Sequence, residues 1–111
     1  MTEAEGCAVL HAAFTSAGYA IRERFVFREE GVEVELDGWD EARRVGYEYI
    51  TDEAGDRAEF TPRSVAALEA RMARGELHVL LVDEHDADGE SDLRAAASAF
   101  LRELRDRRGA P

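Results

Sequence analysis

The sequence predicts an α+β domain, a mainly antiparallel four-stranded sheet packed on three helices in the order α-β-β-β-α-β-α. Three observations carry that prediction. Two runs of period-two alternation flank Glu30-Gly31, two capped apolar stripes of helical period begin at Thr2 and Thr61, and a run apolar almost throughout fills 77–82. The expected arrangement is two-layered, with all three helices on one face of the sheet. A fourth strand apolar on both faces would instead require helices on both sides.

The first helix is expected over 2–17. Thr2 and Glu5 form a capping box, Cys7, Leu10, Phe14 and Ala17 share one stripe, and Gly18 can close the end. Gly6 weakens the first turn by about 1 kcal/mol relative to Ala. The next two runs define a hairpin. A two-residue turn at Glu30-Gly31 pairs Phe27 with Val34 and Phe25 with Leu36 on one face, and Arg28 with Glu33 and Arg24 with Asp37 on the other. A third strand follows at 44–51. The connection before it carries Trp39, which either folds back over the sheet edge or stands out as a contact residue.

Residues 52–60 read as an acidic loop. Thr61 caps a helix over 61–74 with Pro62 at its first position, and Val65, Leu68 and Met72 form its apolar stripe. The run LHVLLV supplies the fourth strand, in which His78 reads as a hydrogen-bonded core residue. The acidic stretch 83–92 leads into a last helix over 91–107, which buries Leu93, Ala97, Phe100, Leu101 and Leu104. Neither a repeat nor a linker interrupts the 111 residues, and the whole reads as a single domain.

Composition narrows the chemistry. The formal charge is −11, which repels phosphate backbones and anionic membranes, so neither nucleic acid nor membrane insertion is expected. All fourteen basic residues are Arg, and Lys, Asn and Gln are absent. A GC-rich bacterial genome accounts for that bias. Its consequence is that no Schiff base, phosphate-loop lysine or lysine base can form. The single Cys7 and an acidic N-terminus without an apolar leader point to a cytoplasmic protein. Cys7 and His11 are one helical turn apart, but no third residue is placed to activate a thiolate.

Two acidic constellations could hold a metal. Glu84, Asp86, Asp88 and Gly89 stand at positions one, three, five and six of a calcium-hand spacing, with Asp92 at nine, but Ala95 replaces the bidentate acid at twelve. The order of elements resembles the core of PD-(D/E)XK nucleases, which hold a metal with carboxylates on the second and third strands. That likeness implies a third-strand tripeptide Glu48-Tyr49-Ile50, with Ile50 where the lysine belongs and Glu33 opposite Glu48. The run LDGWD…RRVGYEYIT…EAGDRAEFTP over 36–62 is similar to short bacterial proteins labelled as gliding-motility proteins, and implies an accessory role in a motility or regulatory assembly.

The function expected from these features is that of a non-enzymatic protein that binds a protein partner with a basic surface and needs no cofactor. The expected contacts are Trp39, Asp37, Asp40 and Tyr47. The alternative is a metal-binding or inactive nuclease-like domain using Glu33 and Glu48 of the sheet or Glu84, Asp86, Asp88 and Asp92 of the loop. Self-association through an open sheet edge is a further possibility.

Overall fold

A computed structural model describes all residues, Met1–Pro111. Helix α1 (Glu3–Ser16) precedes strands β1 (Arg22–Glu29), β2 (Val32–Asp40) and β3 (Val45–Ile50); helix α2 (Pro62–Ala73), strand β4 (His78–Asp83) and helix α3 (Glu90–Arg108) follow. The sheet runs β1-β2-β3-β4, with the first two pairings antiparallel and the β3–β4 pairing parallel. No helix is long and apolar enough to cross a membrane.

The local signals act as expected. Thr2 and Glu5 close a reciprocal capping box on α1, and Thr61 Oγ1 accepts the Ser64 N–H at the start of α2. The hairpin pairs Phe27 with Val34, Phe25 with Leu36 and Arg28 with Glu33. Of the two turn residues only Gly31 takes a positive φ, +84°.

The expected two layers become three. Leu10 and Phe14 of α1 and Leu93, Ala97 and Leu104 of α3 pack on Val45, Tyr47, Tyr49 and Val82. On the opposite face, Leu68 of α2 packs with Phe27, Val34, Leu36, Trp39, Ile50 and Val79. The cause lies in β3 and β4. Every residue of β3 is buried, and along β4 Val79 and Leu81 face α2 while Leu80 and Val82 face the other pair of helices. Strands apolar on both sides must be covered on both sides.

The hairpin departs from its expected pattern at one place. Arg24 takes φ +54°, a costly conformation for a residue with a Cβ, and the expected Arg24–Asp37 pair is missing from the ladder. At that point the facing of β2 changes phase. Val32, Val34 and Leu36 point toward α2, but so does Trp39, while a Cβ on Gly38 would strike the Tyr47 ring on the opposite face. Asp37 reaches β3 and the first turns of α1, and no Arg24–Asp37 ion pair forms.

Glycines make the crossings possible. A Cβ on Gly46 would lie 2.4 Å from the Gly38 carbonyl oxygen, and one on Gly6 would lie 2.3 Å from the Tyr49 ring. The glycine that weakens α1 therefore lets that helix sit directly on β3.

Candidate functional site

The site lies where β2 and β3 part. Their ladder pairs Gly38–Asp40 with Val45–Tyr47 and then stops. Beyond it, side chains replace the backbone pairing. The Asp37 N–H donates to Glu48 Oε1 at 2.8 Å, and the Tyr49 N–H donates to Asp37 Oδ2 at 2.8 Å. Each carboxyl group thus bridges the fork to the opposite strand and satisfies an amide that would otherwise lack a partner.

Helix α1 and the loop after β3 close the fork. The Cys7 thiol donates to Glu3 Oε1 at 3.4 Å, and Thr51 Oγ1 donates to Glu3 Oε2 at 2.7 Å. The Thr51 N–H donates to Asp56 Oδ2 at 3.0 Å. One ligand atom each from Glu3, Cys7 and Asp37 lies within 4.8 Å of the others. These three residues line an open groove of about 920 Å³, with Arg24 at its rim.

The electrostatics are one-sided. Several acids elsewhere meet arginines: Glu29 with Arg44 and Arg71, Asp83 with Arg57, Glu33 with Arg28. Glu3, Asp37, Glu48 and Asp56 are in no salt bridge, and neither is Arg24. Glu48 is fully buried, and its Oε2 has no hydrogen-bond partner. Burial first, and then the Asp37 and Asp56 charges, push its carboxyl up to about 11, so Glu48 keeps its proton at neutral pH. Burial also raises Asp37 to about 6. The Cys7 thiol is pushed far up by burial and by Asp37 and Glu3.

These surroundings settle several sequence expectations. Cys7 is held as a thiol, and His11 turns to the Tyr47 hydroxyl at 3.4 Å and to Glu23 at 3.5 Å, so no Cys–His nucleophile is assembled. Trp39 is fully buried, and Tyr47 and Asp40 are buried almost as completely. Three of the four expected contacts are therefore interior, and only Asp37 keeps partial exposure, at the groove. Asp40 accepts the N–H groups of Ala20 at 2.9 Å and Arg43 at 3.0 Å, a role in stitching loops together. Glu33 does not face Glu48; it is exposed and paired with Arg28 at 2.9 Å.

Nor does the 83–92 loop converge on a calcium position. Glu84 accepts the Asp52 N–H, Asp92 accepts the Asp88 N–H, and residues 84–86 wind into a short 3-10 turn. Glu84 groups instead with Asp52 and His85, where Arg57 already bonds Asp52 and lies against His85. His78 makes no side-chain hydrogen bond and lies half-buried beside the β4 edge, in place of the bonded core position expected for it.

Sequence reading missed Glu3 and Asp56. An acid in the first turn of a helix and another in an acidic loop both read as solvated charges. Glu48, a lone acid within the run VGYEYI, was the available signal. No protein family matches the chain, and neither does any curated protein or solved structure.

Proposed function

We propose that this protein is a divalent-cation-binding domain on a nuclease-like core, with its cation held at the mouth of the β2–β3 fork by Glu3, Cys7 and Asp37, whose ligand atoms converge, and with Glu48 buried behind Asp37. Cys7 adds a sulfur donor for a softer ion such as Zn²⁺. The observation that carries this reading is the buried Glu48 carboxyl, with an unpaired oxygen beside Asp37 and no arginine ion-paired to either acid. Two acids this close in a partly buried fork keep one of them protonated, and a cation would displace that proton and neutralise the pair.

The mixed sheet with helices on both faces supports the nuclease-like part of the proposal. Ile50 packs in the apolar core on the α2 side, where a catalytic lysine would be needed. The reading is accordingly one of cation binding without phosphodiester cleavage. A bound ion would tie the N-terminus of α1 to both strands, and the remaining acidic exterior would steer basic protein partners toward the domain.

Calorimetric titration with Mg²⁺, Mn²⁺ and Zn²⁺ tests the proposal. Wild type is expected to bind at least one of them, and the affinity should rise with pH because the proton on Glu48 must leave. Glu48→Gln and Asp37→Asn should each weaken binding by about tenfold or more, while Cys7→Ser should weaken Zn²⁺ alone. Wild type giving no heat up to millimolar metal would refute the assignment, as would Glu48→Gln binding as wild type does.

A further inference from the structure

We infer that the ion preferred at the mouth of the fork is Zn²⁺, and that His11 is its fourth protein ligand beside Glu3, Cys7 and Asp37. The inference rests on the cation reading above and names both the ion and a donor that reading lacks. It starts from spacing on α1. Glu3, Cys7 and His11 follow one another at four-residue steps, so they rise from one face of the helix about a turn apart. All three line the open groove of about 920 Å³, together with Asp37 from β2. Two donors four residues apart on a helix can hold one metal ion between them.

Three of the four donors already meet. Atoms of Glu3, Cys7 and Asp37 lie within 4.8 Å of one another. Behind them Glu48 is fully buried with an oxygen that has no partner, so the convergence is more than a group of surface acids. The His11 ring stands outside this set, with Nδ1 at 3.4 Å from the Tyr47 hydroxyl and 3.5 Å from Glu23 Oε1. Both separations are long for hydrogen bonds. The side chain is 36% exposed, so little holds the ring where it lies, and a rotation about its side-chain bonds carries it toward Cys7 along the groove.

Donor chemistry selects the ion. One sulfur, one imidazole nitrogen and two carboxylates make a four-coordinate set suited to Zn²⁺, whereas Mg²⁺ and Ca²⁺ take oxygen donors and at least six of them. The sulfur and nitrogen come from the two residues that fail to assemble as a nucleophile. As chelating neighbours they need neither an activated thiolate before the metal arrives nor an orienting third residue. Zn²⁺ takes the place of the thiol proton, which is released to solvent. Glu53, the other acid at this end of the groove, accepts the Glu3 N–H at 3.0 Å and braces the first turn of α1.

Titration with Co²⁺, a spectroscopic stand-in for Zn²⁺, tests the assignment, with calorimetry of Zn²⁺ and Mn²⁺ alongside. Wild type is expected to give the intense visible bands of four-coordinate Co²⁺ and a thiolate charge-transfer band, and to prefer Zn²⁺ to Mn²⁺. His11→Ala should lose the four-coordinate bands while keeping the charge-transfer band. It should also weaken Zn²⁺ by about tenfold or more and leave Mn²⁺ unchanged. Circular dichroism should match wild type, since this side chain is partly exposed. His11→Ala binding Zn²⁺ and Co²⁺ with the wild-type affinity and spectrum would overturn the inference and leave the cation reading standing. A six-coordinate Co²⁺ spectrum in wild type would do the same. Wild type binding none of the three ions would remove the cation reading, and this inference with it.

Discussion

Glu48→Gln is expected to stabilise the protein at pH 8 and to flatten its stability between pH 5 and pH 8. The folded carboxyl is raised to about 11 from an ordinary value of 4.5. Its contribution to stability is fully present below the unfolded value and is lost as pH rises toward the folded one, because the folded state holds a proton that the unfolded state has released. Asp37, raised to about 6 from 3.8, adds a smaller loss in the same direction over a lower window. One group costs at most about 1.4 kcal/mol per pH unit, so wild type should lose on the order of 2–4 kcal/mol between pH 5 and pH 8.

Glutamine keeps the shape and the oxygen that accepts the Asp37 N–H. It also brings an amide donor to face neighbouring carboxylates, without a proton to lose. Urea midpoints at the two pH values measure the effect. Equal slopes for wild type and variant would show that Glu48 is not the group responsible. Paired acids elsewhere work in the opposite sense. Glu29, drawn down to about 2 by Arg44 and Arg71, contributes stability above its ordinary pKa and loses it in acid, so the optimum should lie near pH 5.

Trp39→Ala should cost about 3–5 kcal/mol, a large part of the stability of a domain this size. The indole is fully buried; its ring lies 5.3 Å from that of Phe27, edge to face, and 6.2 Å from that of Phe25. The Arg44 guanidinium covers it at 5.3 Å, and its N–H donates to Glu41. Loss of the ring would open a cavity beneath the hairpin and leave Arg44 without its cation–π surface. Denaturant unfolding followed by circular dichroism reads the cost directly. An unchanged midpoint would mean that the ring is not packed as described. Any partner lost on Trp39→Ala reports unfolding before it reports a lost contact.

The hairpin register was legible because two independent signals agree, the alternation of the strands and a glycine at the turn. The order of elements was legible for the same kind of reason, through caps at Thr2 and Thr61 and the apolar run before Asp83. The layer count was harder. Tyr47 and Tyr49 read as one buried face of β3, but Gly46, Glu48 and Ile50 did not read as a second. Gly46 is small because Trp39 lies over it, and Glu48 is polar because it fills the fork.

The phase change at Asp37 left no local trace. Arginine is a poor choice for a positive φ, so nothing about Arg24 announces one; it follows Glu23, the ladder partner of Gly38, over which the Tyr47 ring crosses. The strand register is the same on both sides of Arg24 and only the facing of the side chains changes, so Asp37 reads as the ion partner of Arg24 and Glu48 is matched with Glu33. The likeness to a nuclease core selected Glu48 as a metal-ligand candidate but paired it with the wrong acid, at the exposed end of β2. Trp39 was misplaced for a related reason. Its neighbours Gly38 and Asp40 read as a loop, whereas β2 continues through both, and Asp40 is buried as a cap for loop amides.

The cation reading of the fork is tested most directly by anomalous scattering from crystals grown with Mn²⁺. The expected result is one ordered peak within about 2.2 Å of oxygens from Glu3 and Asp37, lost in Glu48→Gln crystals. A fully occupied ion at Asp52, Glu84 and His85 with none between β2 and β3 would contradict it.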